Sequence, residues 1–324
     1  MIQKMLRVGF VALAMAGAGA GSVGAQTYPN KSVRIVVPFA PGGSADGTAR
    51  PVAERLSSIL GQAFVIDNRP GGYGTVGAAH VAKSEPDGYT LLLVPGTHVL
   101  TPRLLPNLGY HAINDFSPVA TLVFAPYVII GAKNLPFTTL KDAMQYAREQ
   151  PGKISIGNSE VTTRLAGESL AKVAGVTVTH VPYKGGGPIA NDVLGGHLAI
   201  GVVTPISALG FHREKRVNSL AVTSPKRLAS LPDVPTVAEA LGVAEYDSQT
   251  WFALAGPANM SRQAIERLSQ AIRQIMQDQD MLNRFANMGL VPAEDTSPEA
   301  LGRLMRSFSE RNGLLIDAAK LKLD

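Results

Sequence analysis

The sequence predicts an α/β fold of two lobes, each a mostly parallel sheet flanked by helices, with two strands crossing between them. Three observations predict it. Apolar strand-like runs alternate with amphipathic helical stretches, and the alternation occurs as two sets in series. Nearly every run is followed by a turn rich in Gly, Pro, Ser or Thr that leads into a helix. A late apolar stretch, "SQTWFALAGP" (248–257), follows the second set and reads as a strand returning to the first. The length of 324 residues also suits two domains at about 150 residues each.

The first set opens with the strand "VRIVV" (33–37), the turn "PFAPGGSAD" (38–46) and a helix carrying Val52, Leu56, Ile59 and Leu60 on one face. Gly61 is its stop signal. The strand "FVIDN" (64–68), the turn "RPGGYG" (69–74), a second helix and the strand "GYTLLLV" (88–94) follow, and "PGTH" (95–98) closes the set. The second set holds strands at 127–132, 153–158, 176–183, 198–203 and 218–224. Its helices cover 138–149, with a Thr cap, and 162–175, with Ala166, Leu170, Val173 and Ala174 on one face, and a third begins at "IANDVLGG". Strands joined by helices pair in parallel through right-handed crossovers. The tail adds a helix from about Ser261 and another opening at Ser297 and Pro298, a cap and a first-turn proline. The chain is expected to leave the first lobe near residue 125 and return near 252. Lobe 1 is then 26–125 plus 252–324, and lobe 2 is 126–251.

Residues 1–25 read as a secretory signal peptide: Lys4 and Arg7, an apolar run from Val8, then small residues, with cleavage after Ala25. The apolar run falls short of the ~20 residues a membrane span needs. Export without a single cysteine implies cores large enough to dispense with disulfides. The formal charge of +5 includes the two cations of the leader, and the other Lys and Arg residues are scattered. That pattern excludes a nucleic-acid surface.

No GxSxG elbow, no GxxxxGK phosphate loop and no GxGxxG after the first strand occurs. The six histidines (His80, His98, His111, His180, His197, His212) show no HxH or HxxxH spacing, so no metal is expected. Ser44, Asp46 and His98 are the one set from which a hydrolytic triad can be assembled on paper.

The turns themselves carry the chemistry. In open α/β sheets ligands lie beyond the carboxyl ends of the strands. The first four N–H groups of a helix lack intrahelical partners and sit at the positive end of its dipole. Glycines let an anion approach those groups closely. A hydrogen bond to a charged group contributes roughly 1.5–3 kcal/mol. Four of them approach the ~8 kcal/mol of micromolar binding after association costs. The turns at 38–46, 69–74, 95–98, "SEVTT" (159–163), "KGGGP" (184–188) and "TPIS" (204–207) are the candidates for holding a carboxylate.

The ordered blocks "YPNKSVRIVVPFAPGGSADGTARPVAERL", "GQAFVIDNRPGGYGTVGAAHVAKSEPDGYTLLL", "TLKDAMQYAREQPGKISIGNS", "THVPYKGGGPIANDVLGGH", "LAVTSPKRLASLPDVPTVAEA" and "TWFALAGP" together resemble the Bug-type periplasmic solute receptors of tripartite tricarboxylate transporters. The resemblance covers essentially the whole mature chain. It implies a type II-like two-lobed periplasmic binding protein that closes over a small carboxylate: a di- or tricarboxylate, an amino acid or an aromatic acid. It implies no catalysis and no cofactor. The implied partners are the large and small integral-membrane permease components, with the receptor expected as a monomer. Carried over by position, the first ligand loop is Phe39, Ala40, Gly42, Gly43, Ser44, Ala45 and Asp46, with Asp46 ordering the loop. The facing loop is Ser159 to Thr163, including Glu160 and Thr162. Thr97, His98, Arg164 and Thr204 complete the expected ligand set.

The sequence departs from the family pattern in the second lobe, where Glu160 and Arg164 stand in or beside "NSEVTTRLAGE" and Thr204 and Pro205 follow "AIGVV". Glu160 can repel a second ligand carboxylate or accept from a ligand amide or ammonium. Arg164 can pair with Glu160 or with a distal carboxylate, or both can face water. Phe39 is placed either to stack on a flat ligand or to pack on its lobe. Two alternative roles stay open at this point: presentation of the closed form to a sensor kinase, and hydrolysis by Ser44 and His98.

Overall fold

The computed structural model describes residues 28–105 and 107–321, so the leader assigned to 1–25 lies outside the described residues. The chain begins with β1 (Val33–Val37), α1 (Ser44–Leu60), β2 (Phe64–Asn68), α2 (Thr75–Ala82), β3 (Thr90–Pro95), the single-turn α3 (Thr101–Leu104) and the long β4 (Phe116–Pro126). It continues through β5 (Val128–Gly131), α4 (Leu140–Glu149), β6 (Ser155–Asn158), α5 (Val161–Ala174), β7 (Thr179–Pro182), α6 (Gly186–Leu194), β8 (Ile200–Val203), α7 (Pro205–Arg213), β9 (Asn218–Val222) and α8 (Val237–Leu241). It ends with β10 (Gln249–Pro257), α9 (Arg262–Ile275), α10 (Gln279–Asn287), β11 (Val291–Pro292) and α11 (Pro298–Ala318).

Two sheets result. The first has the order β11-β4-β10-β3-β1-β2 and the second β7-β6-β8-β5-β9. In the first, β1 pairs in parallel with β2 and β3, whereas β10 runs against both β3 and β4. In the second, β6 pairs in parallel with β7 and β8, whereas β5 runs against β8 and β9. Both sheets are therefore mixed. The reversed strands β10 and β5 are those next to the inter-sheet crossings, and the remaining long strands share one direction.

The helices cover both faces of each sheet. Val52 and Leu56 of α1, Leu268 and Ile272 of α9 and Phe285 of α10 fill one side of the first sheet. Ala78 and Val81 of α2, with Leu301 and Met305 of α11, fill the other. A side chain as fully buried as Leu56 contributes roughly 1.5–3 kcal/mol by leaving water. In the second sheet, α4, α5 and α8 supply Leu140, Met144, Leu170 and Val237 to one face, and α6 supplies Ile189 and Val193 to the other. Val173 differs from the expected inward face of α5: it is exposed while Ala166, Leu170 and Ala174 are buried.

Local signals set the helix ends. Thr139, Ser261 and Ser297 cap α4, α9 and α11, their hydroxyls accepting from Asp142, Ala264 and Ala300 N–H groups. Gly61 ends α1 in the left-handed conformation, at φ 69°.

The chain passes from the first sheet to the second at Tyr127, between β4 and β5, and returns at Ser248, before β10. The two passages lie side by side. Tyr127 N–H donates to Thr223 Oγ1 at 2.8 Å, Thr223 N–H to the Tyr127 carbonyl at 3.0 Å, and Ser248 N–H to the Thr223 carbonyl at 3.1 Å. Gln249 then stands opposite Pro126 in the ladder.

Candidate functional site

The carboxyl ends of β1, β2, β3, β6, β7 and β8 deliver the turns that the sequence singles out. Gly42 sits at φ 89°, a left-handed conformation that favours glycine, and a Cβ at Gly42 or Gly43 would meet nothing within 4 Å. The turn is open above the start of α1, as anion capture requires. Ala40, Gly42 and Gly43 are exposed and Ser44 is half-buried.

Asp46 is buried in the first turn of α1 and works inward. Its carboxylate accepts from Gly42 N–H at 3.0 Å, from Arg50 Nε and Nη2 at 2.8 and 2.9 Å, and from Asn68 Nδ2 at 3.0 Å. Burial pushes its pKa up, but the bonds from Arg50, Gly42 and Asn68 outweigh that and hold the carboxyl below the usual range. Asn68 also donates to the Phe39 carbonyl at 3.1 Å, tying β2 to the loop. The turn thus satisfies one of its own amides, and the donors it leaves open belong to the residues that begin α1, Ser44 and Ala45.

The facing turn behaves in the same way. Ser159 and Glu160 N–H groups both donate to Thr163 Oγ1, at 3.0 and 2.9 Å, and that hydroxyl donates to the Glu160 carbonyl. Ser159 and Thr163 therefore brace the loop, and the open amides lie at the start of α5, at Val161 and Thr162. Ala45 and Thr163 are themselves buried.

Between the two turns lies a cavity of about 70 Å³ lined by Phe39, Tyr73, Thr97, Thr101 and Leu104 from the connections between strands of the first sheet and by Glu160 and Val161 from the loop and helix after β6 of the second. The sequence singles out Phe39, Thr97 and Glu160 for this place, includes Val161 in its facing loop 159–163, and does not single out Tyr73, Thr101 or Leu104. Tyr73 had a signal in being the one aromatic residue of "RPGGYG", and in the structure its φ of 58° is rare for a residue with a side chain. Phe39 both lines the cavity and packs against the core beneath α1. Glu160 is surrounded by protein but keeps an exposed face, and burial raises its pKa. The fully buried Tyr127 stands close by; burial and then the Glu160 charge push its pKa up. Its hydroxyl is directed toward Thr162 and Thr250 without reaching hydrogen-bond geometry. Thr97 Oγ1, Thr162 Oγ1, Tyr127 Oη and Trp251 Nε1 are buried polar atoms of this region with hydrogen-bonding capacity left.

Three expected ligand residues lie elsewhere. The His98 ring is buried, with Nε2 2.7 Å from the Ala112 carbonyl. It stacks on Tyr110 at 5.8 Å and meets Phe116 edge-on at 4.7 Å. Burial lowers its pKa to about 4, in keeping with a neutral ring held among Ala112, Tyr110 and Phe116. Arg164 pairs with Glu168, Nη2 to Oε1 at 2.7 Å, and does not reach Glu160. Thr204 caps α7 without a side-chain bond to the helix backbone; its hydroxyl lies 3.3 Å from Ser207 Oγ, outside the lining of the cavity.

A larger groove of about 550 Å³ runs along the β11 edge, lined by Phe124, Leu228, Leu290, Val291 and Leu304 among others. It contains none of the glycine turns; its lining is mainly apolar, and its two cations, Lys226 and Arg227, are paired with Glu294 and Glu239. Among the described residues no group of three or more acidic or histidine side chains is arranged to hold a metal. No helix there is long and apolar enough to cross a membrane.

The profile described as "Tripartite tricarboxylate transporter family receptor" matches residues 48–321. This chain belongs to that receptor family. The Bug-type assignment agrees with its similarity to the protein BugT of Bordetella pertussis, 32% identical over 324 residues, covering 98% of this chain and 99% of the relative. Among solved structures, "R. palustris Rpa4515 with adipate" superposes with a TM-score of 0.80 at 32% identity, covering 91% of this chain and all of that one. MatC (Rpa3494) from Rhodopseudomonas palustris, with bound malate, superposes at 0.72 with 28% identity, covering 88% of this chain and 98% of the other. These two relatives share the two-lobed α/β architecture found here, and they hold adipate and malate respectively.

Proposed function

We propose that this receptor captures a small carboxylate between its two halves and delivers it to the large and small permease components of a tripartite transporter. The leader assigned to 1–25, cleaved after Ala25, would place the mature chain in the periplasm. The halves, 26–125 with 252–324 and 126–251, close about the paired passages at Tyr127 and Ser248, as hinged receptors do. One observation carries the reading. The start of α1, behind its glycine turn, and the start of α5, behind Ser159 and Glu160, flank a cavity that both halves line. Main-chain donors at two helix starts neutralise the acid without a cationic side chain. Two structural relatives hold acids of the same class, adipate and malate.

The ligand set proposed is the open face of Phe39 to Ala45 with Thr97, Glu160, Val161 and Thr162. The test is a thermal-shift screen of the mature protein against small carboxylic acids, with mass spectrometry of whatever co-purifies. One or a few acids should raise the melting temperature, and Trp251, the single tryptophan, should report binding by a change in emission. Silence across a broad acid library, with no co-purifying ligand, would overturn the reading.

A further inference from the structure

Glu160 is the only carboxylate in the lining of the cavity, and the other lining residues are Phe39, Leu104, Val161, Thr97, Thr101 and Tyr73. Among the described residues no Lys, Arg or His lies within ion-pair distance of it. The nearest cation on its own helix, Arg164, is committed to Glu168 through two contacts, Nε at 3.0 Å and Nη2 at 2.7 Å. His180 approaches that same Glu168 carboxylate at 3.4 Å rather than Glu160. As the residue that caps α5, Glu160 has its main-chain N–H tied to Thr163, so the orientation of its stem is set by the turn.

The Glu160 side chain caps the first turn of α5 and keeps a solvent-exposed face, yet the protein around it raises its pKa and no cationic partner pairs with it, so its charged form carries a cost. A cation brought by the ligand removes that cost. A second ligand carboxylate at the same place adds like-charge repulsion in surroundings of low dielectric. Thr97 Oγ1, buried and without a partner, stands on the opposite wall as a further acceptor for an N–H group.

We infer that this cleft selects a monocarboxylate that also carries an ammonium group, and that Glu160 receives the ammonium. The inference rests on the reading of the helix starts as the carboxylate grip. Glu160 then sets specificity by attraction to one ligand class and by rejection of the matched dicarboxylates.

The experiment is calorimetric titration of the mature protein with matched pairs: succinate and 4-aminobutyrate, glutarate and 5-aminopentanoate, adipate and 6-aminohexanoate, and glutarate with glutamine. Wild type should prefer the ammonium-bearing member of at least one pair by about tenfold or more. Glu160→Gln, which keeps an acceptor and the shape but removes the charge, should erase that preference while its melting temperature stays near wild type. Equal or tighter binding of the dicarboxylates by wild type overturns the inference and leaves the carboxylate receptor standing, as does a preference unchanged in Glu160→Gln. If Glu160→Gln fails to fold, the wild-type pairs alone decide. No binding in any pair, together with a silent acid library, overturns both.

Discussion

Acidification should expose the cost of burying His98. Its ring is 4% exposed and its Nε2–H donates to the Ala112 carbonyl at 2.7 Å, so the neutral form is the one that fits. Burial is the main cause that takes its pKa from 6.5 to about 4, partly opposed by the Ala112 bond. The folded pKa lies below the unfolded one, so the unfolded chain takes up the proton first. The stabilisation is whole above pH 6.5 and is lost as pH falls from 6.5 toward 4. At pH 5 the linkage amounts to about 2 kcal/mol. His98→Gln keeps a donor for Ala112 and removes the titration, while every other group that titrates in this range, including His180, is common to both proteins. Urea unfolding at pH 7 and pH 5 should show wild type losing about 2 kcal/mol more than the variant. Equal losses in the two proteins would refute the assignment of His98 as a neutral core group.

Two further substitutions probe the architecture of the site. Asp46→Asn breaks the Arg50 pair and loosens Gly42, so carboxylate binding measured by calorimetry should weaken about tenfold, in keeping with charged hydrogen bonds of roughly 1.5–3 kcal/mol; unchanged affinity would show that the loop holds its shape without the carboxylate. Gly96→Ala would bring a Cβ within 2.7 Å of Thr250 Oγ1 and 3.2 Å of Trp251 Nε1. Overpacking of that kind costs ~1–3 kcal/mol, so the denaturant midpoint should fall with an altered tryptophan emission; a wild-type midpoint would mean that β3 and β10 separate freely there.

The elements that were legible in the sequence are those whose signal is local. The strands at 33–37 and 64–68 read as short apolar runs, and α1 as an apolar face spaced by the helical period. The caps at Thr139, Ser261 and Ser297 need only a side chain and an amide three residues on. By contrast β4, the longest strand, escaped periodicity, because it carries Pro118 and pairs with β10 through two irregularities of register. The same contrast holds at the site. "APGGSAD" announced an open turn, but its wording did not say that Asp46 would take the Gly42 amide or that Thr163 would take those of Ser159 and Glu160.

The sequence by itself determined the two serial sets of strand, turn and helix, and with them the helix starts proposed to grip the acid. Periodicity, capping and a positive φ act within a few residues, and a reader needs no more than that stretch to see them. Only the tertiary structure decided which side chains meet. His98 is removed from the cleft by Ala112, Tyr110 and Phe116, Arg164 is drawn to Glu168, and Glu160 is left facing Phe39 and Thr97 across a cavity built from both halves. Those outcomes depend on how two sheets dock through passages separated by some hundred residues of chain, and burial and charge pairing at that distance have no signature in any short window.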